Sequence, residues 1–188
     1  MLLIELDGDQ PVVEIQAREL AKFLADKPGL LEIHQAQDQA AAEQLWAARR
    51  AISPSTFKLR PHKIGEDVVV PRTRIPDLVD FTEQLGTELD IIILTFGHAG
   101  DGNIHVNIML DRNNPQEMAA GQTAQERLFE KVIRMGGTIT GEHGIGITKS
   151  AFLSHEIDSP TLAAMQAIKK ALDPLNILNP GKIFTAQP

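Results

Sequence analysis

The pattern of hydrophobic and polar positions predicts alternating strands and helices in the first part of the chain. Apolar residues suited to strands occupy 2–6 and 30–34, and residues 12–24 between them carry apolar side chains at helical spacing. Residues 40–52 form an alanine-rich helical segment. We expect this second helix to end near Ser53, because Pro54 disfavours helical backbone in the residue that precedes it.

The middle of the chain predicts a strand, a helix and then two strands in close succession. The first strand is expected at 67–71, and the helix has apolar positions spaced through 75–89. The two further strands are expected at 91–96 and 104–110. The connection at 98–103 contains glycine, aspartate and asparagine, which supply turn geometry. We therefore predict a β-hairpin here.

The remaining pattern predicts two helices separated by a short β-branched segment. A helix is expected at 123–135, followed by the β-branched residues 138–140. The last helix begins at Ser159, which is expected to cap it with Pro160 in its first turn, and it should stop near Asp173. Strands interleaved with helices predict an α+β fold. We expect a mostly antiparallel sheet covered by helices, and the early strand-helix-strand order allows a ferredoxin-like unit.

Composition and charge exclude several classes of function. The 188 residues suit one domain, and no apolar run approaches the roughly 20 residues that cross a bilayer. The absence of cysteine excludes disulfides and thiolate chemistry. A net charge of −7 argues against nucleic-acid binding. With no legible secretory signal, we expect a cytoplasmic protein, and peripheral association with the inner face of the membrane is a second option.

One segment of this acidic chain has the opposite charge. Residues 45–65 contain no aspartate or glutamate. The cations of this segment are Arg49, Arg50, Lys58, Arg60 and Lys63. An arginine can bind a carboxylate through two parallel hydrogen bonds, so the segment predicts an anion site. Cations that end a helix or lie on the surface would produce the same pattern.

Two glycine-rich motifs carry the candidate chemistry. In the hairpin, His105 and Asn107 are two residues apart and project from one face of a strand, and the turn can return His98 to that face. The second motif places Glu142 beside His143 in flexible backbone. Two imidazoles and a carboxylate suit a zinc, manganese or iron ion. We therefore predict that His98, His105 and Glu142 are metal ligands. His143 would be a spare imidazole, which could act as a base or have a simple structural role.

A purely structural interpretation of these motifs stays open at this point. Glycines and Asp101 can simply build the turn, while the histidines make ordinary hydrogen bonds in a half-buried hairpin. No cysteine pair with metal-ligand spacing strengthens the metal interpretation.

The motifs together resemble those of the FAD-linked oxidase family, which includes glycolate oxidase, D-lactate dehydrogenase and D-2-hydroxyglutarate dehydrogenase. The resemblance spans essentially the whole chain. The matching motifs, in family order, occupy 46–50, 66–71, 97–107, 141–146 and 178–182. It implies that residues 1–188 are a C-terminal cap domain that binds substrate and metal. FAD would be held mainly by an N-terminal domain that these residues do not include.

The resemblance also implies roles for individual residues. His98, His105 and Glu142 resemble metal ligands, and His143 resembles the general base. The residues that resemble substrate contacts are Arg49, Ser53, Lys63 and Asn107. Lys58 is the alternative to Lys63, because the stretch after Lys63 is longer than in the hydroxyglutarate enzymes. The motif at 65–71 is more similar to that of glycolate and lactate enzymes, which favours a small 2-hydroxyacid. Further expected partners are other oxidase subunits or an electron acceptor.

Two other functions fit the same residues. A self-contained metal-dependent hydrolase would use two histidines and a carboxylate to activate water. A non-catalytic assembly module would keep the fold and use its surface to bind other subunits. The first would hydrolyse a test ester or phosphate without any flavin domain, and the second would retain no divalent ion.

Overall fold

The chain divides into two compact units. A computed structural model describes residues 1–184. The units are Met1–Ser55 and Thr56–Pro188. All the predicted metal ligands belong to the second unit, whereas Arg49 and Ser53 belong to the first. In the part of the chain that the structure describes, no helix is long and apolar enough to cross a membrane.

The first unit contains two helices, as predicted. Helix α1 is Gln10–Ala25 and helix α2 is Gln39–Ser55. The strands expected at 2–6 and 30–34 are wrong, because neither segment forms a strand in the structure. Several of their apolar side chains are exposed, including Leu2 at 65% and Leu31 at 96%. A favourable pattern makes a strand only where another backbone pairs with it.

The end of α2 also differs from the prediction. The helix continues through Pro54 to Ser55 instead of ending near Ser53. Proline removes one backbone donor and crowds the preceding turn. Here Pro54 is the penultimate residue, so the disturbance is confined to the last turn and does not break the helix.

The second unit is built on a three-stranded antiparallel sheet. Strand β1 is His62–Val69, β2 is Ile92–His98 and β3 is Asn103–Leu110. The spatial order is β1-β3-β2, with β3 in the centre. The predicted hairpin is confirmed, and so is the α+β class. The strand predicted at 67–71 is longer than expected, because β1 begins at His62, within the basic segment.

The second unit also contains helices. Helix α3 is Ile75–Leu89, α4 is Pro115–Arg134, α5 is Leu153–Glu156 and α6 is Ser159–Leu172. Helix α4 starts earlier than predicted because Asn114 caps it, accepting hydrogen bonds from two backbone N–H groups of the first turn. Helix α6 begins at the predicted residue, but Asp158 caps it instead of Ser159, through its side chain and the backbone N–H of Thr161.

The main core lies against one face of the sheet. Alternate residues of β3, Ile104, Val106 and Ile108, are buried there. The largest buried side chain from the helices is Phe129 of α4, and it belongs to the same core cluster as Ile104 and Val106. Because strand side chains alternate, the residues between them project from the opposite face. That opposite face carries the polar residues of the hairpin.

Candidate metal centre

The hairpin brings His98 and His105 together, as predicted. His98 of β2 pairs directly with Asn103 of β3, and His105 follows two positions later on the same strand. Opposite residues and residues two apart share a face, so both imidazoles project from the polar face of the sheet. Their ring centroids are 5.5 Å apart with an interplanar angle of 86°.

Close backbone approach explains the glycines around these histidines. A Cβ atom added at Gly97 would lie 2.2 Å from the carbonyl oxygen of Asn103. One added at Gly102 would lie 2.1 Å from the carbonyl oxygen of Val70, and the φ of +76° there is also unfavourable for L residues. Glycine is therefore required at Gly97 for the close pairing of β2 with β3, and at Gly102 for the turn and its contact with Val70, just after β1.

Glu142 completes the cluster from a separate loop. Its Oε1 lies 3.8 Å from Nε2 of His98. One potential ligand atom from each of His98, His105 and Glu142 lies within 4.8 Å of the others. Two ligands of one zinc ion at tetrahedral angles would be roughly 3.4 Å apart, so only small movements are needed to enclose an ion. The donor set and the spacing both fit a divalent cation.

Asp67 anchors the loop that carries Glu142. Its Oδ2 accepts hydrogen bonds from three consecutive backbone N–H groups, those of Gly141 at 3.1 Å, Glu142 at 2.6 Å and His143 at 3.1 Å. Burial alone would raise the pKa of Asp67, but the hydrogen bonds from Glu142 and His143 outweigh it and lower that pKa. Asp67 is therefore a carboxylate at neutral pH.

The other oxygen of Asp67 faces His105. Asp67 and His105 are directly paired between β1 and β3, and Oδ1 lies 3.2 Å from Nδ1 of the imidazole. Burial is the largest influence on the pKa of His105 and lowers it, and the imidazole of His98 acts in the same direction. The carboxylates of Asp67 and Glu142 oppose this change without reversing it. A neutral imidazole is the form that binds metal.

Asn103 holds the carboxylate of Glu142. Its side-chain amide donates a hydrogen bond of 2.7 Å to Oε1. Asn103 is only 3% exposed, whereas the side chain of Glu142 is 60% exposed. A fixed, buried donor thus restrains an exposed carboxylate.

His143 lies beside the cluster, next to Glu142 in the sequence. Its ring is nearly parallel to that of His105, with centroids 6.0 Å apart and an interplanar angle of 16°. The residue is exposed. An imidazole in this position can exchange protons with a molecule bound at the cluster or with water.

The predicted substrate contacts fall in both units. Lys63 and Asn107 both lie beside Gly65, because a Cβ added there would be 4.0 Å from Cε of Lys63 and 3.8 Å from Oδ1 of Asn107. Arg49 and Ser53 lie on α2 of the first unit. Within the basic segment, two cations are already paired with carboxylates: Arg50 with Glu43 and Arg60 with Glu117.

A buried polar network adjoins the centre through β1. Nζ of Lys149 donates hydrogen bonds of 2.8 Å to the carbonyl oxygens of Asp67 and Ile139 and lies 3.6 Å from Oε2 of Glu66. Glu66 also accepts a hydrogen bond of 2.6 Å from Gln125. Burial raises the pKa of Glu66, although Lys149 and Gln125 act against this rise.

The sequence prediction assigned no role to three residues of this site: Asp67, Asn103 and Lys149. Each acts on a segment distant in sequence, so neither periodicity nor local spacing could assign its role. The signals available were an aspartate inside a β-branched strand and an asparagine at the base of a glycine-rich turn. Their partners became identifiable only with the strand register.

Curated relatives match almost the whole chain. Glycolate oxidase subunit GlcD of Bacillus subtilis (strain 168) is 41% identical over 184 residues, which cover 98% of this chain and 39% of the relative. GlcD of Escherichia coli (strain K12) is 33% identical, covering 97% of this chain and 36% of the relative. A probable mitochondrial D-lactate dehydrogenase of Danio rerio is 34% identical, with 97% and 37% covered. The chain thus spans less than two fifths of the length of these relatives.

A solved structure shares the fold. The 4-ethylphenol oxidase of Gulosibacter chungangensis, solved as an isoeugenol complex, superposes with a TM-score of 0.61 at 17% identity, covering 94% of this chain and 37% of that one. The family profile that matches residues 1–183 is described as "FAD linked oxidases, C-terminal domain". The chain belongs to this family of FAD-linked oxidase C-terminal domains.

Proposed function

We propose that this chain is the substrate-binding and metal-binding part of an FAD-dependent 2-hydroxyacid dehydrogenase. The observation that carries the proposal is the meeting of His98, His105 and Glu142, whose ligand atoms lie within 4.8 Å of one another, in a chain of this family. Relatives named as glycolate oxidase subunits and a D-lactate dehydrogenase support a small 2-hydroxyacid as the substrate.

The three residues would hold a zinc, manganese or iron ion and leave positions open for substrate oxygens. A bound divalent ion supplies Lewis-acid chemistry, which makes a hydroxyl group beside it more acidic. His98 and Glu142 are exposed, so an ion held by these residues would be accessible to a small molecule. Asp67 and His105, whose side chains are 2% and 19% exposed, form the less exposed side of the cluster.

His143 is proposed as the general base. Oxidation of a 2-hydroxyacid breaks the O–H bond and the C2–H bond and forms a C=O bond, giving a 2-oxoacid. The unprotonated ring nitrogen of His143 would accept the hydroxyl proton. The C2 hydrogen leaves with its electron pair as hydride, for which FAD, bound mainly outside these 188 residues, would be the acceptor.

The substrate carboxylate would be fixed by cations and hydrogen-bonding groups of this chain. In the second unit, Lys63 would supply a cation and Asn107 a hydrogen-bonding group. Arg49 and Ser53 of the first unit are the other substrate contacts that the resemblance to the family implies. Fixing the carboxylate while the hydroxyl group lies at the metal centre would orient C2 for reaction. Other oxidase subunits or an electron acceptor would complete the assembly, in the cytoplasm or at the inner face of the membrane.

The test uses the 188-residue chain and the complete flavoprotein that contains it. We expect the complete protein to oxidise glycolate or D-lactate with a dye acceptor, and to lose this activity after chelation and in H105A while flavin absorbance is unchanged. The 188-residue chain should show no activity with the same dye. Oxidation by this chain without flavin, or hydrolysis of a test ester, would overturn the proposal.

A further inference from the structure

Asp67 occupies a position that links two of the proposed metal ligands, although no role was assigned to it from sequence. Its side chain is 2% exposed, so it is withdrawn from solvent and from any substrate. One carboxylate oxygen binds the Glu142 loop and the other faces His105. Building on the proposed function, we propose that Asp67 is the positioning residue of the metal centre: it sets the tautomer of His105 and the location of Glu142.

The first part of the argument concerns His105. Oδ1 of Asp67 is buried and accepts no well-formed hydrogen bond from the described residues. Nδ1 of His105 lies 3.2 Å away, and a small rotation of the imidazole would let a proton on Nδ1 be donated to this oxygen. A proton on Nδ1 leaves the lone pair on Nε2, on the far side of the ring from Asp67. Asp67 thereby selects the tautomer that binds a cation through Nε2.

The second part concerns the loop. Three consecutive N–H groups converge on Oδ2 of Asp67, and such a concave arrangement of backbone donors suits an anion. The backbone of Glu142 is therefore fixed close to β1, even though its side chain is largely exposed. His143 is fixed through the same oxygen. One carboxylate thus sets the relative positions of an imidazole ligand, a carboxylate ligand and the proposed base.

The backbone of Asp67 is itself immobilised. Its carbonyl oxygen accepts hydrogen bonds from Nζ of Lys149 at 2.8 Å and from the N–H of Gly141 at 3.2 Å. Lys149 also binds the carbonyl oxygen of Ile139, just before the loop. Strand β1 and the loop are therefore joined at both backbone and side-chain level. The side chain of Asp67 therefore extends from a backbone segment that is held by hydrogen bonds.

The test compares D67N with E66Q in the 188-residue chain. Both replace a buried carboxylate of β1 by an amide of the same shape, but Glu66 contacts Gln125 and Lys149 and no proposed ligand. The amide in D67N would present an NH2 group in place of one carboxylate oxygen, so either His105 or the loop would face a donor where it needs an acceptor. We expect Mn²⁺ and Zn²⁺ affinity to fall about 10-fold to 100-fold in D67N and to change less than about 3-fold in E66Q.

A second measurement uses the wild-type chain and does not depend on the folding of a variant. Long-range ¹H–¹⁵N spectra of the metal-free chain at neutral pH should show the His105 proton on Nδ1, and the amide proton of Glu142 should be protected from exchange.

A proton on Nε2 instead would overturn the proposal, and so would equal affinity losses in D67N and E66Q. If the wild-type chain binds metal but D67N binds equally well, the positioning role fails and the metal centre stands. If the wild-type chain binds no metal, the proposed function fails as well.

Discussion

Asn103 donates a 2.7 Å hydrogen bond from its side-chain amide to Oε1 of Glu142, although the two residues are 39 positions apart in the sequence. The same oxygen lies 3.8 Å from Nε2 of His98. A buried amide at the base of β3 therefore aims an exposed carboxylate at the histidine pair. Without it, the Glu142 side chain would lose rotamer freedom only on binding the ion, at a cost of about 1 kcal/mol or more.

The hydrogen bond from Asn103 to Glu142 predicts weaker binding of divalent metal in N103A. Removal of the amide should lower divalent-metal affinity by about 10-fold, because an outer hydrogen-bond partner of a ligand is lost. Isothermal titration with Mn²⁺ measures the effect. The matched control is N113A, which removes an exposed amide hydrogen-bonded to Asp111. Unchanged affinity in N103A would show that Glu142 needs no such support.

The contact between Gly141 and Asn103 predicts that G141A is disruptive. An added Cβ would lie 2.6 Å from Oδ1 and 2.9 Å from Nδ2 of Asn103, and Asn103 is buried. We expect a loss of about 1–3 kcal/mol in the free energy of unfolding and weaker metal binding. G100A is the control, because a Cβ there meets nothing within 4 Å. Equal unfolding midpoints in urea for the two variants would contradict this account of the loop.

Lys149 is predicted to stabilise the protein. In K149M, the buried carboxylate of Glu66 would lose its cation and two carbonyl oxygens would lose a donor. A hydrogen bond from a charged group typically contributes about 1.5–3 kcal/mol, so the loss of the two bonds to carbonyl oxygens would cost about 3–6 kcal/mol. Urea unfolding should show a loss of this order, against a much smaller change in K170M, where the lysine is exposed. A loss below about 1 kcal/mol would show that Lys149 contributes little net stability.

Glu66 makes the stability of the protein depend on pH in a predictable direction. Burial raises its pKa above the ordinary value of 4.5. A carboxyl group with a raised pKa in the folded state favours folding while it is protonated, so its contribution is complete below pH 4.5 and is lost as the pH rises through the folded pKa. E66Q resembles the protonated form. Its stability relative to the wild type should therefore increase from pH 4 to pH 8.

Urea unfolding of both proteins across this pH range provides the measurement. A difference in unfolding free energy that stays constant would mean that the pKa of Glu66 is the same in the folded and unfolded states. If the stability of E66Q relative to the wild type decreased as the pH rises, Lys149 would outweigh burial and hold Glu66 as a carboxylate.

The meeting of His98 with His105 could be predicted because it depends on local chain geometry. The glycine-rich turn is short, and a hairpin pairs its strands in one register. The same logic failed at 2–6 and 30–34, where the pattern was suitable for strands but the chain supplied no pairing strand in the structure. The predicted end of α2 was also wrong, because the effect of Pro54 depends on how many helical residues follow it.

The role of Asp67 could not be predicted, because it depends on pairing between β1 and β3, which are separated by a helix and another strand. The register places Asp67 opposite His105, and the return of the loop places Glu142 above the same carboxylate. Such contacts depend on the tertiary structure. An aspartate in a β-branched strand gives no indication of its partner from sequence alone.

X-ray absorption spectroscopy of the metal-loaded 188-residue chain tests the central claim most directly. We predict one zinc or manganese ion per chain, with two imidazole nitrogens and at least one carboxylate oxygen in its coordination sphere. The imidazole contribution should halve in H98A and remain unchanged in H34A, whose histidine lies in the first unit. Coordination without imidazole, or a spectrum that H98A leaves unaltered, would contradict a metal centre formed by His98, His105 and Glu142.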